Sequence, residues 1–251
     1  MDLRTASVAG AALLVLTAAT AHAAPVGVRY QEGVTRAFPV LRAVTDNEKL
    51  AQGDFVQVAN GDRVASRLVF RFKDGSIHDE TVVFSQREVF TLLHYRLIQK
   101  GPSFPETLEA TIDRETGRYD VRQRADQDSP EEHVSGKFEI PDDAYNGLIS
   151  MIVKNLAPGA GTMVSVVAFT PKPRVVQLLL MPAAEERAAV AGAQLPATRY
   201  HVRPQLGLFA SLLVTDIPDS RVWVVPGEAP AFLKAEGRLY FMGPIWRIDP
   251  Y

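Results

Sequence analysis

The amino-acid sequence predicts a mainly β protein, a curved antiparallel sheet or incomplete barrel with one embedded helix at about residues 143–156. Three observations lead to this prediction. Short segments of alternating polar and apolar residues recur between Pro and Gly residues. A single segment carries a sustained helical period. The chain has no cysteine, so an exported fold would depend on its apolar core and not on disulfides.

Residues 1–23 have the features of a secretory signal peptide. Arg4 precedes an apolar run over residues 8–17, and the small residues of Ala21-His22-Ala23 suit a signal peptidase. The run is shorter than the ~20 residues that a spanning helix needs. We therefore predict cleavage after Ala23, a periplasmic or secreted location and no transmembrane segment after cleavage. An uncleaved anchor is the alternative, because Asp2 offsets the charge of Arg4.

The remaining chain is predicted to form one domain preceded by an arm. Residues 24–64 show no sustained period, which favours an N-terminal arm with one strand near residues 55–59. Residues 65–251 are predicted to form a single β-rich half-barrel domain.

The clearest hairpin is predicted around residues 74–75, an Asp-Gly dipeptide that favours a tight reversal between strands at 67–73 and 77–85. A two-residue loop would pair Phe70 with Asp79. We favour one further loop residue, which pairs Leu68 with Val82 and so matches apolar with apolar.

The favoured register turns His78 and Glu80 toward the buried face. The next segment, residues 89–100, has apolar residues at odd and even positions alike, which is typical of a central strand covered on both sides. Further strands are predicted at residues 108–113, 119–123, 134–140, 163–170, 175–181, 188–193, 198–203, 221–225, 231–235 and 238–248. Residues 206–215 are ambiguous between a strand and a short helix.

The predicted helix follows Pro141-Asp142-Asp143, which offers an N-cap carboxylate, and ends at Pro158-Gly159. Its apolar residues recur at helical spacing: Tyr145, Leu148, Ile149, Ile152 and Leu156.

Three stretches carry a resemblance of layout to known proteins: residues 141–147 (PDDAYNG) opening the helix, residues 221–224 (RVWV) and residues 236–239 (EGRL). With the exported leader and the long hairpins, residues 65–250 resemble uncharacterised exported bacterial proteins whose fold is similar to the periplasmic lipoprotein carriers. The resemblance implies a half-barrel that holds acyl chains. It brings no catalytic motif, so it implies no catalytic residue.

Charge and motifs exclude several classes of function. The formal net charge of −2 gives no reason to expect a nucleic-acid partner. The absence of cysteine excludes thiolate zinc sites, thiol nucleophiles and a lipid anchor on cysteine. His78, His94, His133 and His201 have no metal-binding spacing, and no G-x-S-x-G elbow occurs. We therefore predict no enzyme, no metal site and no cofactor.

Seven aromatic residues on strands expected to be neighbours are predicted to line a concave apolar surface: Phe70, Phe72, Phe84, Tyr95, Trp223, Tyr240 and Trp246. The alternative is that they form a packed core.

Three hypotheses for function follow. The first is a non-catalytic periplasmic protein that binds an apolar or lipid-like ligand in a half-barrel. The second is an envelope scaffold or protein-interaction module with a filled core and an envelope protein as partner. The third is a hydrolase that would need His78 or His94 beside a carboxylate in a cleft.

Overall fold

The computed structural model describes residues 24–126, 128–170, 172–190, 192–205 and 219–250. The described strands are β1 (Thr35–Ala37), β2 (Val40–Ala43), β3 (Lys49–Asn60), β4 (Arg63–Phe72), β5 (Ile77–Gln86), β6 (Phe90–Lys100), β7 (Thr107–Asp113), β8 (Arg118–Arg124), β9 (Glu132–Lys137), β10 (Thr162–Thr170), β11 (Lys172–Val190), β12 (Ala193–Gln205), β13 (Ser220–Val225), β14 (Ala231–Gly237) and β15 (Trp246–Asp249). The helix of the described residues is α1 (Ile149–Asn155). The prediction of a mainly β fold with one helix is confirmed.

The strands belong to one antiparallel sheet. Its order is β10-β11-β12-β13-β14-β15-β2-β3-β4-β5-β6-β7-β8-β9, and β1 pairs with β3 beside β2. Along this order all neighbours follow one another in the chain, except β15 and β2. Strand β2, near the start of the chain, therefore meets β15, the last described strand, in the middle of the sheet, and β9 and β10 lie at its two ends.

The sheet curves so that its two halves face each other. The main core combines buried side chains of β4–β8 with those of β10–β13, which lie far apart in the strand order. Leu148 and Ile152, at the start and in the middle of the α1 region, are fully buried in the same core. The interior of the curved sheet is thus largely filled by its own side chains and by α1.

The segment expected to be an arm belongs to the sheet. Residues 24–64 supply β1, β2 and β3, and the expected boundary at residue 65 falls inside β4. Gly53, Asp54 and Gln57 interrupt apolar alternation in β3, so the strand has no clear period. The expected strand at residues 55–59 lies within β3. The expected signal peptide lies outside the described residues.

The hairpin of β4 and β5 has a three-residue loop, residues 73–75. Phe70 pairs with His78 and Leu68 with Glu80, so both registers considered from the sequence are wrong. Gly75, with a φ of 86°, takes the last loop position, where left-handed backbone is needed. The favoured register differs from the observed one by two residues, which preserves the face of each side chain, and His78 and Glu80 do point inward.

Strand β6 is not apolar on both faces, contrary to the prediction. Val83 pairs with His94 and Phe84 with Leu92, so Leu93 forms a β-bulge that opposes no residue of β5. The extra residue reverses the alternation along β6. As a result the inner face of β6 carries even-numbered apolar residues before the bulge and odd-numbered apolar residues after it.

Helix α1 is shorter than predicted. Gly147 has a φ of 68°, which is incompatible with an α-helix, so the helix starts after it, with Leu148 at the N-cap. Asp142 and Asp143 therefore do not cap the helix. The carboxylate of Asp143 instead accepts a hydrogen bond from the hydroxyl of Ser165, at 2.8 Å.

Residues 138–148, which we call the connector, cover the free edge of β10. The backbone N–H of Tyr145 donates to the carbonyl of Ser165, and the N–H of Ser165 donates to the carbonyl of Asp143. The side-chain amide of Asn146 exchanges two hydrogen bonds with the backbone of Val167, at 2.7 and 2.8 Å. The connector thus satisfies an edge that strand pairing leaves open.

Two expectations for the second half also differ, and a third is not tested. The segment at residues 188–193 spans the end of β11 and the start of β12. Only Trp246–Asp249 of the segment at 238–248 pairs as a strand, because Gly243 and Pro244 interrupt it. The ambiguous segment at residues 206–215 lies outside the described residues.

Candidate functional site

Four of the seven aromatic residues expected to line a ligand surface lie together. Phe70, Phe72, Tyr240 and Trp246 form an aromatic end cluster with Phe104. The ring centroid of Phe72 lies 5.4 Å from that of Phe104 and 5.4 Å from that of Trp246. Such edge and tilted contacts are those of a packed core.

The other three aromatic residues lie elsewhere. Phe84 and Tyr95 are buried in the main core, and Trp223 lies on the outer face of the sheet. Its indole N–H donates to Glu186, and the ammonium of Lys234 lies 4.5 Å from its ring centroid. The seven residues thus do not share one surface, and their role in ligand binding stays a prediction.

His78 is buried beside the aromatic end cluster and is held as an acceptor. The amide nitrogen of Gln99, which can only donate, lies 3.0 Å from Nδ1 of His78 and 2.6 Å from the carbonyl oxygen of Leu239. Burial lowers the pKa of His78 to about 4, and the nearby charge of Asp79 opposes this effect. The imidazole therefore stays neutral in the folded protein at neutral pH.

The structure does not combine His78 and His94 into one site. His94 pairs with Val83 on the outer face, where its Nδ1 lies 3.4 Å from Asp113, while His78 points into the interior. Within the described ranges, no group of three or more His, Asp or Glu side chains is arranged to hold a metal ion.

Glu80 is a carboxyl group in the interior whose pKa is raised by burial. The hydroxyl of Tyr95 donates to it at 2.8 Å. A Cβ built on Gly147 would lie 3.2 Å from the Glu80 carboxyl carbon and 2.6 Å from Val82, so the connector packs closely on this pair. Perturbed carboxyl groups often mark functional sites, but Glu80 has a structural partner and lines none of the pockets described below.

A pocket of about 280 Å³ lies at the C-terminal end of α1, and we call it the helix-end pocket. Most of its lining residues are apolar or aromatic: Tyr30, Val153, Leu156, Pro158, Pro182, Ala183, Ala184, Tyr200, Val224, Pro226 and Pro230. The others are Arg29, Lys154, Gly159, Glu185, Thr198 and Gly227. Four separate parts of the chain thus meet there: the N-terminal segment, α1, the β11–β12 hairpin and the end of β13.

One wall of the helix-end pocket is the N-terminal strap, residues 26–32. The side-chain carbonyl of Asn155 accepts hydrogen bonds from the backbone N–H groups of Arg29 and Tyr30, at 2.9 and 2.8 Å. The carboxylate of Glu32 lies 2.6 Å from the ammonium of Lys154. These contacts fix the strap against the helix.

The polar side chains at the helix-end pocket are two cations, one carboxylate and three hydroxyls: Arg29, Lys154, Glu185, Tyr30, Thr198 and Tyr200. One guanidinium nitrogen of Arg29 donates to the carbonyl of Leu156 at 2.7 Å, which leaves four N–H groups. Tyr200 is 5% exposed, and its hydroxyl has no hydrogen bond to any residue in the described ranges. Burial raises the pKa of Tyr200, and the charge of Arg29, which lines the same pocket, lowers it.

Sequence reasoning missed this pocket. Arg29 and Tyr30 lie in the expected arm, and Tyr200 is one aromatic residue among many, so no local pattern indicates that they meet. Two further depressions are more open. One, of about 650 Å³, lies beside the connector, and the other, of about 270 Å³, lies along the distal β11–β12 hairpin. None of the seven expected aromatic residues lines any of the three.

No helix of the described residues has both the length and the hydrophobicity required to cross a membrane.

Comparison with known proteins yields a similar fold. No family model matches the chain, and no curated protein matches it. A crystal structure of a β-barrel-like protein of domain of unknown function DUF1849 from Brucella abortus is similar, with a TM-score of 0.47 and 10% sequence identity. The alignment covers 88% of this chain and 97% of that one. The similarity assigns neither a family nor a function, and the resemblance to lipoprotein carriers stays a prediction.

Proposed function

We propose that the chain is a non-catalytic periplasmic protein that binds a small apolar or lipid-like ligand, and that the helix-end pocket is the binding site. The observation that carries this proposal is the pocket itself, a mainly apolar depression of about 280 Å³ at one end of an otherwise filled interior. Ligand pockets typically measure ~300–1,000 Å³. The pocket lies at the lower limit, which favours a single chain over a multi-chain lipid.

Location in the pocket is tested with a pair of matched threonine variants. Thr198 lines the helix-end pocket and pairs with Val224, another lining residue, so Thr198→Phe would fill part of the pocket. Thr107 on β7 is exposed and lines none of the three pockets, so Thr107→Phe adds the same ring elsewhere. We expect Thr198→Phe to weaken binding of the neutral dye Nile red at least tenfold and Thr107→Phe to leave it unchanged.

The proposal also predicts what accompanies the protein. Protein purified without detergent is expected to carry an apolar molecule detectable by mass spectrometry after solvent extraction. Protein that carries none, and that binds Nile red no better than Thr198→Phe does, would refute the proposal.

One observation favours a second candidate, an envelope scaffold or interaction module. Val34 is 76% exposed, and the pairing of Thr35 with Gln57 places it beside the exposed Val58 on the outer face of the sheet. Exposed apolar patches on a protein with a filled core often bind other proteins. Recovery of one stoichiometric protein partner by wild type but not by Val58→Lys, with no extracted lipid, would favour this candidate.

A further inference from the structure

The helix-end pocket has an uneven distribution of polar groups. Its walls are mainly apolar, and the hydroxyl of Tyr200 is one of the few polar groups on them. Tyr200 is 5% exposed and its hydroxyl makes no hydrogen bond to a described residue, so it can donate one to a ligand. Arg29 lines the same pocket with N–H groups to spare, because the guanidinium makes one hydrogen bond among the described residues.

We propose that the helix-end pocket selects single-chain amphiphiles that end in a carboxylate, with Tyr200 and Arg29 donating hydrogen bonds to that head group. This inference rests on the proposed function, since it names the ligand class of the same site. A guanidinium matches the two oxygens of a carboxylate. The hydroxyl of Tyr200 would then donate to the same group while the chain lies along the apolar walls.

The other charges near the pocket leave Arg29 as the cation available to a ligand. Lys154 is already paired with Glu32, at 2.6 Å. Glu185 also lines the pocket and is exposed, as Arg29 is, so water screens both charges. The carboxylate of Glu185 accepts no proton from a ligand carboxylate, so the donors for such a head group are the hydroxyl of Tyr200 and the remaining N–H groups of Arg29.

The test compares two ligands of equal chain length by isothermal titration calorimetry at neutral pH. Decanoate carries the carboxylate, and decan-1-ol is its neutral counterpart. We expect the wild type to bind decanoate at least tenfold more tightly, because a carboxylate accepts stronger hydrogen bonds than a neutral hydroxyl does.

Two variants and one control assign the preference to its residues. Tyr200→Phe removes only the hydroxyl, and Arg29→Gln removes the charge. Each is expected to lower the ratio of decanoate to decanol affinity severalfold. Arg36→Gln, which changes an arginine that is 65% exposed on β1, is expected to keep the wild-type ratio.

The outcomes separate this inference from the proposed function. Equal affinity of the wild type for the two ligands, or an unchanged ratio in both Tyr200→Phe and Arg29→Gln, overturns the head-group assignment and leaves apolar binding intact. If the wild type binds neither ligand nor Nile red, the proposed function fails and this inference fails with it.

Discussion

The buried imidazole of His78 gives a quantitative prediction for stability against pH. In the unfolded chain the pKa of histidine is about 6.5, and in the folded protein burial lowers the pKa of His78 to about 4. Above pH 6.5 neither state binds the proton, so His78 contributes no pH dependence. Between pH 6.5 and 4 the unfolded state binds a proton that the folded state does not, so stability falls as the pH falls.

The magnitude follows from the two pKa values. One pKa unit corresponds to about 1.4 kcal/mol, so the proton on His78 should lower the free energy of unfolding by about 3 kcal/mol between pH 6.5 and 4. Most single-domain proteins have only about 5–15 kcal/mol of stability. Protonation of this one side chain would therefore remove a large share of it.

The assay is urea denaturation of the wild type, His78→Gln and His133→Gln at several pH values from 7 to 4. Carboxyl groups titrate in all three proteins, so the comparison isolates the imidazole. His78→Gln is expected to lose about 3 kcal/mol less than the wild type on acidification. The control changes an exposed histidine and should lose as much as the wild type. Equal losses in the wild type and His78→Gln would refute a neutral, buried His78.

Four further substitutions test the packing around the connector and α1. Gly147→Ala should destabilise the protein by about 2–4 kcal/mol, because its φ is 68° and the new Cβ would lie 2.6 Å from Val82. Gly159 has a φ of 72° with open space around it, so Gly159→Ala should lower the free energy of unfolding by about 1 kcal/mol in thermal or urea denaturation. Similar losses for Gly147→Ala and Gly159→Ala would contradict a close contact at Val82. Ile152→Ala should cost about 2–5 kcal/mol, and a loss below 1 kcal/mol would contradict its full burial. Asn155→Leu should make the N-terminal strap sensitive to limited proteolysis while the β-sheet circular dichroism is retained, and unchanged protection of the strap would contradict its attachment through Asn155.

Local alternation in the sequence was sufficient to predict which side chains share a face in much of the first half of the sheet. Phe70 and Phe72 share a face because they are two residues apart, and His78 and Glu80 point inward in any register of the same parity. Trp223 was expected on the concave surface with the other aromatic residues, but it lies on the outer face of the sheet. It stands between Val222 and Val224, which both face the main core, so its own side chain must face outward.

Features that depend on a distant partner could not be predicted. The bulge at Leu93 is defined by the strand opposite it, and without it β6 has apolar residues on both faces. The aspartates at 142 and 143 have the composition of a helix N-terminus, but Asp143 is used by Ser165 on β10. The helix-end pocket brings together Arg29 and Tyr200, which are far apart in the chain.

The pairing of β15 with β2 has a consequence for how the chain folds. It joins positions about 200 residues apart, such as Ile248 and Leu41, and closing so long a loop costs more conformational entropy than closing a hairpin. The strands before the connector and those after it can each form from local turns, so we expect the pairing of β15 with β2 to be the slow step of folding. A chain that lacks β2 or β15 would keep its hairpins, but the sheet would be interrupted between its two halves.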